Sequence, residues 1–518
     1  MTHPHRTRRT SLAGHRLRRA ALALAPLLLV IHPAQAQQGR LDGLEAYVEQ
    51  AMRDWGVPGL ALAVVKDDSV VFSRGFGVRQ RGNPAPVDEH TLFAIASTTK
   101  AFTATAIAML VDEGKVRWDD PVSMHIPGLR LSDPGLAGEL TVRDLLTHRT
   151  GLPTSDFLWY ASGNDTEEII RRMRFLRPFA PPRTRYMYNN LAYMLAGQVV
   201  QSASGMPWDE FVRRRILQPL GMAETLTGYP GLFSHGNAAT PHLEVDDSVR
   251  AIAYRDFDNI GPAGTMNSSV HDVAKWIRFQ LAGGRIGGER LVSEAQHREM
   301  FTPQFLVPAG QFYPAARLAG PHFTAYGLGW FLQDHHGRQL AMHTGSIDGM
   351  SALVALVPEE RLGLVVLINL DHAELRHALM YRIVDAYLGA PPRDWSAELL
   401  PVYAGAEARA DSAERARLAK RVTGTRPSLP LEAYVGTYLD PDSLFGGVGV
   451  WMHDDGDRLV ATRPGEIVGS LEHWHYDVFR VRWEQPALGH SFFTFTIDPE
   501  GRVGWVRVDG RLLARTGE

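Results

Sequence analysis

Two sets of strand-like segments lie far apart in the chain, and any fold this sequence adopts must bring them together. The early set is a pair, 59–65 and 70–78, rich in apolar and β-branched residues and split by Asp67-Asp68, which reads as a hairpin. The late set covers 326–333, 339–343, 350–357 and 362–370, broken by turn-like pieces at His335-His336-Gly337 and Pro358-Glu359-Glu360. An amphipathic helix precedes the early pair, with Leu41, Leu44, Tyr47, Val48 and Met52 at helical spacing, and a helix over 374–388 follows the late set. This distribution predicts an α+β fold: one antiparallel sheet completed by both ends and flanked by helices, with the long middle section as a separate helical lobe. A cleft between sheet and lobe is the natural place for an active site.

The 518 residues exceed one ordinary compact domain. The first folded unit is expected over 37–390. Composition then turns toward Ala, Arg, Glu and Pro, which reads as a linker over 391–430 with a helix around 404–422. Residues 431–518 alternate in short segments with turn signals at Asp455-Gly456, Pro499-Glu500-Gly501 and Asp509-Gly510, the pattern of a small all-β barrel or sandwich.

Residues 1–36 read as a signal peptide. A basic stretch (Arg6, Arg8, Arg9, Arg16, Arg18, Arg19) precedes an apolar run over 20–31, and Ala34-Gln35-Ala36 offers a small-residue cleavage pattern. Thr7-Arg8-Arg9-Thr10-Ser11-Leu12 also suits a twin-arginine signal, and the sequence leaves the route open. The expectation is a periplasmic or secreted protein with no stable membrane anchor after cleavage. Subtracting those six arginines from the net charge of −3 leaves −9 on the remainder, which argues against nucleic-acid binding. The chain has no cysteine, so disulfides, thiolate catalysis and thiolate metal sites are excluded.

Ser97-Thr98-Thr99-Lys100 opens a helical stretch that reaches roughly Glu113 and Gly114. Positions i and i+3 share a helix face, so Ser97 and Lys100 become neighbours one turn apart. A serine hydroxyl needs a base to act as a nucleophile. A lysine serves as that base when burial brings its pKa toward neutrality, and the surrounding sequence is apolar. A helix start also aims backbone N–H groups at developing negative charge. Lysine is scarce in this chain (Lys66, Lys100, Lys115, Lys275, Lys420), which makes a chance pairing uncommon.

Tyr188-Asn189-Asn190 and His343-Thr344-Gly345-Ser346 follow downstream. With Ser97 and Lys100, these three elements in this order resemble the Ser-x-x-Lys, Tyr-x-Asn and Lys-Thr-Gly elements of class C β-lactamases and related penicillin-binding proteins. The flanking segments 55–59, 145–153 and 262–264 are similar to family segments too, and the likeness covers roughly 40–390. The resemblance implies a β-lactamase/transpeptidase-like fold with Ser97 as the acylated nucleophile. It implies Lys100 as the group that assists its deprotonation, and Tyr188 as a proton-carrying phenol whose pKa nearby lysine charge depresses. Asn190 would orient substrate and Lys100, and His343, Thr344, Gly345 and Ser346 would line the substrate strand. The backbone N–H groups of Ser97 and Ser346 would form an oxyanion hole. His343 stands where lysine is usual, which puts efficient penicillin hydrolysis in doubt, because histidine is largely neutral near pH 7. Histidine there is similar to esterase and D-aminopeptidase members. The C-terminal module resembles the lipocalin-like appendage of some relatives through Tyr434-Val435-Gly436-Thr437-Tyr438.

The expected function is therefore an exported serine hydrolase acting through an acyl-serine on small amides or esters, either D-amino-acid peptides of cell-wall type or carboxylic esters. A β-lactamase, or a non-catalytic peptidoglycan-binding or scaffold protein of the same fold, are the alternatives. No cofactor is expected. His335-His336 reads as a turn and His473/His475 as alternate strand residues, so no metal site is expected. Trp474, Trp483 and Trp505 read as core aromatics of the C-terminal module. Oligomeric state is not legible.

Overall fold

The computed structural model describes residues 39–516 apart from 233, 443 and 466. The signal-peptide expectation lies outside the described residues. The chain opens with α1 (Leu44–Asp54), β1 (Gly59–Lys66), β2 (Ser69–Gln80) and β3 (Asn83–Pro86). The lobe is built around α2 (Thr99–Asp112), α3 (Asn190–Ser204) and α4 (Val270–Leu281). The chain then returns to the sheet as β4 (Phe305–Leu306), β5 (Thr324–Tyr326), β6 (Phe331–His335), β7 (Arg338–Ile347), β8 (Met350–Val357) and β9 (Leu362–Ile368), followed by α5 (Leu375–Leu388). The sheet order is β4-β5-β6-β7-β8-β9-β1-β2-β3, so β1 of the early pair closes on β9 of the late set, Leu60 opposite Ile368.

Both faces of the central strands β1, β8 and β9 are covered, which explains why they read as unbroken apolar runs, while β2 and β3 at the edge are exposed or half-buried along most of their length. Along β1, Ala61, Ala63 and Val65 face the helical lobe, while Leu60, Leu62 and Val64 face α1 and α5. The period of two is intact, but it sorts residues between two dry layers and not between core and water. The single strand expected over 326–333 is two strands, because the chain turns at 327–330 with Gly329 in the left-handed region.

The helix expected within the linker starts earlier and is longer. It is α6, Trp395–Leu418, N-capped by Asp394, and its first turn buries Trp395 and Leu399 against α5. Trp395 stacks on Tyr381, which ties the start of α6 to the sheet domain. Eight antiparallel strands, from Gly436–Leu439 to Arg511–Arg515, then close into a barrel with its own core of Tyr434, Tyr438, Phe479, Phe493 and Phe495 among others. Of the three tryptophans assigned to that core, Trp474 and Trp483 are buried and Trp505 is exposed. Among the described residues no helix is long and apolar enough to cross a membrane.

The barrel is seated on the lobe segment around 157–163. Phe157 meets Phe445 with ring centroids 5.9 Å apart, and the Arg511 guanidinium lies 3.6 Å from the Phe157 ring centroid. Gly163 comes so close to the barrel that a Cβ there would lie 2.8 Å from the backbone N of Gly465.

Candidate active site

Ser97 sits in a short 3-10 turn, Ala96–Thr98, that feeds directly into α2, so the nucleophile candidate and Lys100 are joined by one continuous helical segment. Ala96, just before it, has φ of 44°, a strained conformation for a residue with a Cβ. The Thr98 hydroxyl donates to Ile95 O and helps hold the turn. Lys100 is fully buried, and its Nζ lies 3.0 Å from Ser97 Oγ, 2.8 Å from Asn190 Oδ1 and 2.7 Å from Ala263 O. Burial drives the Lys100 pKa well below its ordinary value, opposed by the carboxylate of Asp156.

Tyr188 approaches from the lobe, carried on the residues just before α3. Its neighbour Asn189 caps that helix by accepting from Ala192 N–H, which fixes where Tyr188 and Asn190 project. The phenol is hydrogen-bonded to Ser97, and the Tyr188 ring lies 4.9 Å from Lys100 Nζ. The expectation of a depressed phenol pKa is reversed: burial pushes Tyr188 well above its ordinary value, and its hydrogen bond with Ser97 only partly offsets this. The reason is that Lys100 loses its charge to the same desolvation, so the cation meant to lower Tyr188 is itself disfavoured.

The third wall is β7, which carries His343 to Ser346. It packs edge-on against the Ser97 turn with Gly345 at the contact, where a Cβ would lie 2.2 Å from Ile95 O. His343 is buried, its Nδ1 2.6 Å from Thr344 O and its Nε2 2.9 Å from the Tyr326 hydroxyl. A carbonyl can only accept, so Nδ1 carries the proton and Nε2 accepts from Tyr326. Burial, with Lys100 nearby, lowers the His343 pKa to about 3, so this position is uncharged at neutral pH. Thr344 Oγ1 pairs with the Tyr313 hydroxyl at 2.6 Å, and Ser346 Oγ accepts from the buried Arg376 at 3.0 Å. Arg376 also donates to Gly345 O and pairs with Glu374, so it braces β7 from behind.

All eight sequence-derived site residues thus converge: Ser97, Lys100, Tyr188 and Asn190 in one hydrogen-bonded group, and His343, Thr344, Gly345 and Ser346 on the strand beside it. Sequence reading missed Asp156, His148, Tyr326 and Arg376. Asp156 accepts from Asn190 Nδ2 (3.2 Å) and Trp159 Nε1 (2.7 Å), and His148 lies with its ring 4.2 Å from that of Tyr188. His148 belongs to the 145–153 segment already noted as family-like, and that was the available signal for it. Asp156 follows closely in the same loop.

The turn read at His335-His336 is present, with His335 ending β6 and His336 opening the turn into β7, and both side chains gather with Asp385. His335 Nε2 lies 2.7 Å and His336 Nε2 3.3 Å from Asp385 Oδ1, while Trp395 Nε1 donates to Asp385 Oδ2. The carboxylate clamps the β6–β7 hairpin to α5 and α6, well away from Ser97 in the fold.

A family model described as Beta-lactamase matches residues 44–388, the whole sheet-and-lobe part. A second, described as a domain of unknown function (DUF3471), matches 420–515, the barrel. The chain is similar to unguisins hydrolase ungD of Aspergillus violaceofuscus, 31% identical over 456 residues that make up 82% of this chain and 79% of that protein. It is also similar to Protein flp of Staphylococcus aureus, 26% identical over 63% of each chain. Of solved structures, the octameric penicillin-binding protein homologue from Pyrococcus abyssi matches with a TM-score of 0.60 at 24% identity, over 92% of this chain and 100% of that one. SurE matches with a TM-score of 0.55 at 22% identity, over 93% and 100%. At these identities the two structures speak to the fold, barrel included.

Proposed function

The chain belongs to the β-lactamase family of serine hydrolases, and from that premise we propose that it hydrolyses small amides or esters through an acyl intermediate on Ser97. The observation that carries this reading is the buried Lys100 Nζ, 3.0 Å from Ser97 Oγ and held by two further acceptors. A neutral amine there donates its two hydrogens to Asn190 Oδ1 and Ala263 O and turns its lone pair toward the serine hydroxyl.

In the first half-reaction Ser97 Oγ attacks the substrate carbonyl and its proton passes to Lys100. The backbone N–H groups of Ser97 and Ser346 receive the developing oxyanion. As the carbon–leaving-group bond breaks, the proton is delivered to the leaving group through the Tyr188 phenol, which remains protonated at rest. Water then attacks the acyl-enzyme, its proton is drawn to the same pair, and the acid leaves with Ser97 restored.

His343 shapes the substrate range. A neutral imidazole with both nitrogens engaged offers no cation to a substrate carboxylate. We therefore place D-amino-acid peptides and simple carboxylic esters ahead of penicillins. The hydrolase named for unguisins supports a hydrolytic role. Export to the periplasm or beyond, through the residues before 37, belongs to the same proposal.

The test is hydrolysis of a p-nitrophenyl ester, a D-alanine p-nitroanilide and a chromogenic cephalosporin by native protein and Ser97→Ala. Turnover of the first two, cut by about 10³-fold or more in the variant, is expected. Equal rates in both proteins would remove Ser97 from the mechanism.

A further inference from the structure

Where the barrel meets the lobe, the two enclose an open cavity of about 1080 Å³. Trp159, Tyr254, Arg255 and Asp256 line it from the hydrolase domain, and Glu484 and Gln485 from the barrel. A single small-molecule site is commonly about 300–1,000 Å³, so this volume has room for several residues of a peptide.

The cavity is wired to the nucleophile by two routes. Trp159 donates through Nε1 to Asp156, which accepts from Asn190, whose Oδ1 accepts from Lys100. On the other side Asp348, two positions beyond Ser346, forms part of the wall and binds Arg255 Nε at 2.8 Å and the Tyr160 hydroxyl at 2.7 Å. Arg255 then reaches across the seam and donates to Gln485 Oε1 at 2.9 Å. A narrower cleft shares Arg255 and Asp348 with the cavity and leads inward to Gly264, where a Cβ would lie 3.7 Å from Ser97 N.

The charge of this lining is one-sided. Asp165, Asp256 and Glu484 stand exposed at its edge, while the Arg255 guanidinium is committed to Asp348 and Gln485. An anionic group entering here meets like charge, and an ammonium meets opposite charge beside an aromatic wall. We propose that the seam cavity is a substrate subsite for the amine-bearing distal part of a short peptide, with the barrel as its outer wall. The proposal rests on the acyl-Ser97 reading and adds the substrate class that the site selects.

The experiment compares four chromogenic substrates on the full chain: a small ester with no distal group, and one short peptide anilide as its free amine, its N-acetyl form and its N-succinyl form. Native protein is expected to favour the amine over the succinyl peptide by about tenfold or more in kcat/KM. Glu484→Lys should narrow or invert that preference through KM, with ester turnover kept within about twofold. Equal use of the three peptides by native protein, or an equal loss on all four substrates in the variant, would overturn the subsite. Titration of the same peptides into Ser97→Ala reads the charge preference as binding alone. A preference for the amine form there supports the subsite even if ester turnover proves independent of Ser97, and no preference overturns it.

Discussion

Lys100 draws its chemistry from two opposed influences, burial and the carboxylate of Asp156. Burial favours the neutral amine that the proposed mechanism requires, and Asp156 favours the ammonium. Activity that depends on neutral Lys100 rises with pH through its folded-state pKa and is lost on the acid side. Asp156→Asn keeps an acceptor for Trp159 and removes the charge, so the acid limb of the kcat/KM profile should move to lower pH. A limb that stays put, or moves up, would mean that Asp156 acts only as a brace. His343 gives a second residue-scale prediction, in stability. Its folded pKa of about 3 lies below the 6.5 of the unfolded chain, so the unfolded state binds the extra proton. Its contribution is intact above pH 6.5 and is lost progressively as pH falls toward 3. Between pH 7 and pH 5 the native protein should therefore lose about 2 kcal/mol more than His343→Gln, measured by denaturant unfolding at both values.

At the scale of elements, the site depends on β7 lying hard against the turn that holds Ser97. Gly345 sets that distance. Gly345→Ala would drive a methyl into Ile95 O and push the strand away from the turn. A displacement of that kind should lower kcat by about 100-fold on any substrate, with stability reduced by roughly 2 kcal/mol. Enzyme kinetics with a thermal melt would check both, and a fully active variant would show that the strand is free to give. The same elements explain how much the sequence revealed. Ser97, Lys100, Tyr188 and Asn190 were legible because each helix start imposes a fixed spacing on its chemistry. β1 and the late strands β8 and β9 were legible as apolar runs, since both sheet faces are dry there, whereas β2 was legible from its apolar and β-branched residues although it is mostly exposed or half-buried. Asp156, Tyr326 and Arg376 were not, because they reach the site through tertiary contacts between segments distant in the chain and carry no local pattern. The direction of the Tyr188 shift was misjudged for a related reason: apolar residues nearby in sequence announce burial, but not which of two buried groups keeps its charge.

In the whole molecule, the barrel packs against the lobe segment that follows Asp156. Phe157 is held by Phe445 and Arg511, and Asp156 precedes it directly. Its strands were readable as an all-β module, but the contact with the lobe was not, because a turn glycine such as Gly163 gives no hint that another domain's backbone approaches it. The hydrolytic mechanism itself stands or falls at Ser97. Its most direct test is intact-protein and peptide mass spectrometry of the full chain after brief mixing with a p-nitrophenyl ester, quenched in acid. The mechanism predicts an added acyl mass on the peptide containing Ser97 that decays as product forms and is missing from Ser97→Ala. Steady ester turnover with no transient mass on that peptide, or the same adduct in the variant, would contradict it.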